Sequence, residues 1–327
     1  MNFKSNNLIL LTGAGFTKNF GGFLADDMWD MILGHPLIQK NEKLKRLVLS
    51  NSNFDYETIY DTVLSSNKFN DDEKSAMKKV IEQVYKDLDD AIRGRVYNSE
   101  NPRKIENGSQ FHKFIRFFVG GAGEKGFFFT LNHDLFMERQ FKYRAPMVPF
   151  FNEEFHIFNQ EFSNNHLRKL PNQEELETQK ENLINSGDLL YIKLHGSYGW
   201  LSINGENQMV IGGGKEKIIK KEPLLKWYFS IFKEVIRQDD KKIVIIGYGF
   251  REEHINKILM EGIRSHNLKI YVITKMEKED LKRRLNENGA FLIWESLCGY
   301  SCGSLEEIFP WDSETADFKK IERFFNN

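Results

Sequence analysis

Three polar side chains that could do chemistry stand just after two mostly apolar runs of the chain. Asn132 and Asp134 follow the run at residues 127–129, and His195 follows the run at residues 189–194. An imidazole at such a place can act as a base or a hydrogen-bond partner in a cleft. If the backbone stays extended, residues 132 and 134 point to the same side, so one amide and one carboxylate face the same cleft. A capped turn and a structural histidine are the alternative interpretations.

Glycine-containing turns follow two further apolar runs. Gly13-Ala14-Gly15 comes after residues 8–11, and Gly247-Tyr248-Gly249 comes after residues 243–246. Glycine lets the backbone approach a phosphate without a Cβ in the way, and the start of a following helix can face a pyrophosphate. The dinucleotide fingerprint G-x-G-x-x-G needs a glycine where Lys18 stands, which disfavours an ordinary Rossmann site. A tight strand-to-helix connection is the alternative.

These four apolar runs have the length and composition of buried strands. In the last third of the chain, strands at residues 243–246, 268–273 and 291–294 alternate with helices, one of them at residues 278–286. The alternation predicts an α/β fold with a Rossmann-like, doubly wound and mostly parallel sheet and helical insertions. Ligands of such sheets bind beyond the carboxyl ends of the strands, so the four segments together predict one nucleotide site.

Two insertions are predicted within the sheet domain, which takes in residues 1–34 and 108–327. Between residues 35 and 107, apolar residues recur at helical spacing among many charges, which predicts a helical insertion. A second, smaller insertion is predicted at residues 151–187, with an exposed helix over residues 172–185.

The bulk composition excludes several classes of function. The chain has 327 residues, 28% of them charged, and a net charge of −1, which gives no general reason to expect nucleic-acid or anionic-membrane binding. Its two cysteines, Cys298 and Cys302, allow neither a disulfide framework nor a four-cysteine zinc module. The histidines have no metal-ligand spacing, and we predict no metal. The first apolar run is too short for a secretory signal or a membrane span, so a cytoplasmic protein is expected.

Taken in order, the four segments resemble the sirtuin superfamily. Gly13-Ala14-Gly15-Phe16-Thr17 is similar to its Gly-Ala-Gly-x-(Ser/Thr) opening, and Thr130-Leu131-Asn132-His133-Asp134 to its Thr-x-Asn-x-Asp motif. His195-Gly196 is similar to its catalytic His-Gly, and Gly247-Tyr248-Gly249 occupies the place of a later Gly-x-Ser loop. The resemblance covers roughly the sheet-forming half of the chain and leaves out both insertions.

Three departures from the protein deacylases of this superfamily indicate a subtype. The four-cysteine zinc module is missing, Gly249 replaces the serine of the later loop, and Thr274 stands where an asparagine is usual. The stretch at residues 247–256 is especially similar to sirtuin-like NAD hydrolases that act as effectors of bacterial anti-phage defence.

This resemblance implies that NAD is a substrate and not a recycled cofactor. Cleavage of its nicotinamide–ribose bond passes through a cationic, oxocarbenium-like ribose, and the leaving nicotinamide is neutral. By resemblance, Asn132 would position the water or the ribose hydroxyls, His195 would accept a proton, and Asp134 would orient the carboxamide or stabilise the cation. The predicted pyrophosphate contacts are Gly13, Ala14, Gly15 and Thr17, and the predicted contacts near the adenosine ribose are Gly247, Gly249 and Thr274.

Free NAD hydrolysis would be toxic, so we expect the activity to be gated by homo-oligomerisation or by a regulatory sensor protein. The segments at residues 35–107 and 141–162 are the candidate contact surfaces. Two alternatives stay open: an NAD-dependent protein deacylase without zinc, and a non-catalytic sensor of NAD or ADP-ribose. An ordinary Rossmann oxidoreductase ranks behind both.

Overall fold

The computed structural model describes residues 3–96, 114–121, 123–140, 168–185, 188–202, 204–308 and 315–326. The nine strands within these ranges are β1 (Lys4–Thr12), β2 (Glu124–Thr130), β3 (Arg168–Lys169), β4 (Leu189–Lys193), β5 (Gly196–Leu201), β6 (Asn207–Met209), β7 (Lys242–Ile246), β8 (Lys269–Thr274) and β9 (Leu297–Cys302). The helices are α1 (Ala14–Lys18), α2 (Ala25–Gly34), α3 (Pro36–Gln39), α4 (Glu42–Ser50), α5 (Tyr56–Ser65), α6 (Asp71–Val96), α7 (Phe136–Gln140), α8 (Gln173–Asn185), α9 (Lys215–Lys221), α10 (Pro223–Ile236), α11 (Glu253–His266), α12 (Lys278–Glu287), α13 (Phe291–Glu295), α14 (Leu305–Ile308) and α15 (Ala316–Asn326).

Six strands form one parallel sheet in the order β4-β2-β1-β7-β8-β9. Counted along the chain within this sheet, that is the doubly wound order 3-2-1-4-5-6. The predicted fold class is confirmed. The direction of strand addition reverses between β1 and β7, and the crevice at this reversal is where such sheets bind ligands.

The strands of the sheet are apolar on both faces because helices cover both. In β1, Leu8 and Leu10 pack into one core cluster, whereas Ile9 and Leu11 pack into the other. The first cluster joins the sheet to α2 through α6 and to the C-terminal helices, and the second joins it to α8 through α13. A strand buried on both faces shows a continuous apolar run, which is why these strands could be recognised from the sequence.

Helices α3 to α6 occupy the described part of the segment that was predicted to be a helical insertion. Their apolar positions, among them Leu44, Val48 and Met77, belong to the same core cluster as the sheet residues. These helices therefore form one of the two layers that cover the sheet. Of the smaller predicted insertion, the structure describes β3 and α8, and residues 141–167 lie outside the described part.

A second sheet of three short strands, β3-β5-β6, was not predicted. Its longest strand, β5, begins directly after His195, at Gly196, whose φ of +75° allows the chain to turn out of β4. Strand β5 pairs with β6 in antiparallel fashion, and the Val210 amide donates a hydrogen bond to the His195 carbonyl. The small sheet therefore fixes the backbone of His195 from the side away from β4.

One strand prediction was wrong. Residues 291–294 form the first four residues of helix α13, and the last strand of the sheet is β9. A run of four apolar residues has no periodicity that separates helix from strand. Strand β9 lies at the edge of the sheet and buries only Ser301, so it lacks the apolar run that marks an inner strand. Among the described residues, no helix combines the length and the apolar character needed to span a membrane.

Candidate active site

The loops after β1 and β7 touch each other through glycines. The Gly13 amide donates to the Ile246 carbonyl, and the Gly15 amide donates to the Gly247 carbonyl, each at 3.0 Å. Gly247 has a φ of +62°, and a Cβ on it would lie 2.2 Å from the Phe16 nitrogen. The glycines are therefore needed for contact between the two loops. The predicted pyrophosphate role stays a prediction, and it must use donors other than these two amides.

Asn132 is fixed against the β1 loop. Its side-chain amide donates to the Gly13 carbonyl at 3.0 Å and lies 3.3 Å from the Thr17 hydroxyl. Its backbone amide donates to the Thr130 hydroxyl, which in turn bonds the Thr12 hydroxyl. These bonds orient the carboxamide, because the amide nitrogen must face the Gly13 carbonyl. The oxygen Oδ1 of Asn132 makes no hydrogen bond with the part of the chain that the structure describes.

Asp134 and His133 lie on the same loop as Asn132 and have different hydrogen-bond and ring partners. The Asp134 carboxylate accepts a hydrogen bond from the Phe136 amide at 2.9 Å. The Thr17 hydroxyl, which contacts Asn132, acts to lower the pKa of Asp134. His133 contacts a different set of groups: its ring meets the ring of Tyr85. Burial raises the pKa of Asp134, although nearby charges and hydrogen bonds oppose this.

A buried ion pair holds the loop after β2 against β4. Lys193 is fully buried, and its ammonium group contacts Glu138 at 2.9 Å, the Ser197 hydroxyl at 2.7 Å and the Asp134 carbonyl. The Ser197 hydroxyl in turn donates to the His133 carbonyl. Lysine and glutamate are almost never fully buried unless they are paired. The sequence does not predict this pair, because Lys193 stands inside an otherwise apolar strand and Glu138 inside a short helix.

His195 pairs with a second histidine. Its Nε2 lies 2.9 Å from Nε2 of His254, and the ring centres of His133 and His195 are 6.3 Å apart. Burial, with the help of the Lys215 charge, lowers the pKa of His195 well below its ordinary value. The same causes lower the pKa of His254 to about 4 and that of His133 to about 3. All three imidazoles are therefore neutral at pH 7.

Lys215 connects this histidine cluster to the helical layer. Its ammonium group lies 2.6 Å from Glu57 on α5 and 2.6 Å from Glu252, just before α11. Desolvation lowers the pKa of Lys215, but the two carboxylates together raise it above the ordinary value. Glu252 also approaches the second histidine, with Oε2 at 3.7 Å from Nδ1 of His254. None of these three charged residues was singled out from the sequence.

Three of these side chains have the chemistry of a metal-binding set. Ligand atoms of His195, Glu252 and His254 all lie within 4.8 Å of one another. The two imidazoles already share a hydrogen bond, however, and Glu252 already pairs with Lys215. A metal ion held by the Nε2 atoms of both histidines would have to break the bond between them. The expectation that the site holds no metal stays a prediction.

The remaining predicted site residues surround the crevice without meeting the histidines. Thr274 is buried, and its hydroxyl accepts a bond from the Met276 amide. A Cβ on Gly249 would have the Arg284 guanidinium, at 3.6 Å, as its nearest neighbour, so this position is open. Within the described ranges, no hydrogen bond joins Asn132 to His195, and His133 makes the connection between their loops.

The comparison with known families decides the class of this chain. A family profile described as a SIR2-like domain matches residues 126–293, slightly more than half of the 327 residues. The chain belongs to the SIR2-like domain family. The match contains Asn132, Asp134, His195 and the β7 loop, whereas the Gly-Ala-Gly turn of this SIR2-like protein precedes it. No curated protein matches the sequence. Family membership is consistent with NAD-dependent enzymatic activity.

Proposed function

We propose that this SIR2-like protein hydrolyses NAD to nicotinamide and ADP-ribose, as a toxic effector in anti-phage defence. The proposal is supported by one arrangement: Asn132, whose carboxamide is held in a fixed orientation, and His195, whose pKa is lowered, follow two strands of the same sheet. The two residues follow β2 and β4, which are neighbours in the sheet. Asn132 contacts the β1 loop, and His195 contacts His254, which follows β7. Strands β1 and β7 border the crevice where doubly wound sheets bind nucleotides.

The bonds of Asn132 leave one atom for the reaction. Because its amide nitrogen faces the Gly13 carbonyl, Oδ1 is available to accept a hydrogen bond from a water molecule or a ribose hydroxyl. Such a bond would hold the nucleophile in line with the nicotinamide–ribose bond. Correct positioning of a nucleophile is among the largest contributions that a site can make to a rate.

His195 supplies a proton acceptor. Because its pKa is lowered, the ring is unprotonated at neutral pH and can take a proton from the attacking water or from a ribose hydroxyl. Nicotinamide leaves as a neutral molecule, so the site needs no acid opposite His195. We assign Asp134 to the stabilisation of the cationic ribose or to the nicotinamide carboxamide. Its hydrogen bond from the Phe136 amide also makes it a turn cap, which is a structural role.

We further propose that the activity is gated through the helical layer. Support comes from Glu57, which lies on α5 and reaches the Lys215 ion pair next to the histidine cluster. Oligomerisation or a regulatory sensor protein that binds this layer could move α5 and thereby change the charge environment of His195.

The experiment that tests the proposal is incubation of purified protein with NAD, alone, with an acylated peptide, and with the product of the neighbouring gene. The proposal predicts release of nicotinamide and ADP-ribose without peptide. Release that depends on the acylated peptide would favour a zinc-free deacylase. Tight binding of NAD with no turnover in any arm would favour a sensor and contradict hydrolysis.

A further inference from the structure

His254 stands directly behind the histidine that the proposed function uses as a base. The only hydrogen bond that the structure gives the His195 ring, among the described residues, is the one between the two Nε2 atoms, at 2.9 Å. The His254 ring stacks on Phe229, and its other nitrogen, Nδ1, faces Oε2 of Glu252 at 3.7 Å. Glu252, His254 and His195 therefore form a chain in which each group faces the next.

We propose, on the basis of the proposed function, that His254 is a positioning residue that sets the tautomer of His195 and receives the proton that His195 takes up. A hydrogen bond between two neutral imidazoles needs one donor and one acceptor. The carboxylate of Glu252 favours the hydrogen of His254 on Nδ1, which leaves Nε2 of His254 as an acceptor. His195 must then donate from Nε2, and its Nδ1 carries the free lone pair.

This tautomer is the one that a base requires. The reverse arrangement, with His254 as donor, would place a hydrogen on Nδ1 of His195 and leave it unable to accept a proton there. The same logic operates in triads in which a carboxylate fixes the tautomer of a histidine that activates a nucleophile. Here a second histidine is inserted between the carboxylate and the base.

The proton transfers from the attacking water through His195 to His254 balance. The attacking water loses a proton to Nδ1 of His195, and its oxygen forms a bond to the ribose carbon. The bond from that carbon to the nicotinamide nitrogen breaks, and its electron pair leaves with neutral nicotinamide. The Nε2 proton of His195 passes to Nε2 of His254, which becomes an imidazolium ion beside Glu252. That proton is later returned to solvent.

The charges around the pair come from several elements. Lys215, the first residue of α9, disfavours an imidazolium ion at either ring. Glu216 and Glu253 favour a charged His254, and His133 adds a neighbouring imidazole on the side of the β2 loop. Lys215 is itself held between two carboxylates, so with both ionised this ion cluster carries one net negative charge. An imidazolium ion on His254 would offset that charge.

The first test does not depend on catalysis. Nitrogen-15 NMR of the ring nitrogens in histidine-labelled wild-type protein, assigned with His195→Gln and His254→Gln, reports which nitrogen carries each hydrogen. The proposal predicts a hydrogen on Nε2 of His195 and on Nδ1 of His254. It also predicts that Glu252→Gln lowers the Nδ1–H fraction of His254. Glu261→Gln, which changes a carboxylate on the helix of His254 that pairs with Arg237, should leave that fraction unchanged. A hydrogen on Nδ1 of His195 in the wild-type protein would overturn the proposal.

The second test uses turnover of NAD. His254→Leu removes the acceptor, and kcat should fall by about 10²-fold or more, the low end of a general base's contribution. KM for NAD should change little, because His254 does not contact the substrate. His254→Gln keeps an acceptor for the Nε2 hydrogen and should restore part of kcat. Equal kcat in the wild type, His254→Leu and Glu261→Gln would overturn the proposal. Absence of turnover in the wild type would count against NAD hydrolysis and leave the NMR result to decide the tautomers.

Discussion

Replacing Lys193 with methionine should destabilise the protein strongly. The side chain is fully buried, and its ammonium group is the partner of Glu138, which is itself almost completely buried. One oxygen of that carboxylate, Oε2, already has no hydrogen-bond partner among the described residues, so Lys193 supplies its main compensation. Lys193→Met therefore leaves a carboxylate in the interior without a counter-charge, and also removes a donor from the Ser197 hydroxyl.

The magnitude follows from the burial of both partners. Removing one member of a buried ion pair costs about 3–5 kcal/mol, because an uncompensated charge remains. The free energy of unfolding of native proteins is about 5–15 kcal/mol, so this change would remove roughly a fifth of it or more. Changing Glu138 to methionine as well removes the stranded charge, and the double variant should recover about 2 kcal/mol or more of the loss.

Urea unfolding, followed by tryptophan fluorescence, measures these free energies. The matched control is Lys257→Met, which breaks an exposed pair with Glu253 whose side chains are 60% and 76% exposed. That change should alter the free energy of unfolding by about 0.5 kcal/mol or less. A cost for Lys193→Met no larger than the control's, or a double variant less stable than Lys193→Met alone, would refute the reasoning.

Three further outcomes are expected. Gly247→Ala should destabilise the protein far more than Gly205→Ala. Both glycines have positive φ values, +62° and +78°, but only at Gly247 would a Cβ meet backbone atoms, at 2.2 Å. Equal melting temperatures of the two variants would contradict the contact between the β1 and β7 loops. The free energy of unfolding should fall as the pH drops below 6.5. In the unfolded chain His133, His195 and His254 take up protons there, whereas in the fold their lowered pKa values keep them neutral. Each such histidine contributes about 1.4 kcal/mol per pH unit to the fall. His254→Gln removes one of these protons and should reduce the pH dependence by about 1.4 kcal/mol per pH unit. A free energy of unfolding that does not vary between pH 6.5 and 4.5 would contradict the lowered pKa values.

The inner strands could be predicted because two-sided burial gives continuous apolar runs. Residues 8–11, 127–129 and 243–246 all lie within observed strands. The edge strand β9 could not be found this way, since an exposed edge needs few apolar side chains. Its place was given wrongly to residues 291–294, where the apolar side chains serve a short helix. The three-stranded sheet depends on pairing between distant segments, which a local pattern does not encode.

The same limit applies to the candidate site. Residues at strand ends could be singled out because the fold class fixes where ligands bind. The ion cluster could not be predicted, since Glu57, Lys215 and Glu252 come from three separate segments and each is an ordinary surface residue type. The contact between His254 and His195 could not be predicted either, because it joins positions 59 residues apart.

The proposed roles of Asn132 and His195 in NAD hydrolysis are tested most directly by the rate of nicotinamide release. The rate is measured for the wild type, Asn132→Ala, His195→Ala and His266→Ala, and NAD binding and thermal stability are measured for each protein. His266 lies at the end of α11 beside the exposed Asp239, and it serves as the matched histidine control. We expect Asn132→Ala and His195→Ala to stay folded and to release nicotinamide about 10²-fold or more slowly than the wild type. His266→Ala should keep the full rate. Wild-type rates from both site variants would contradict it.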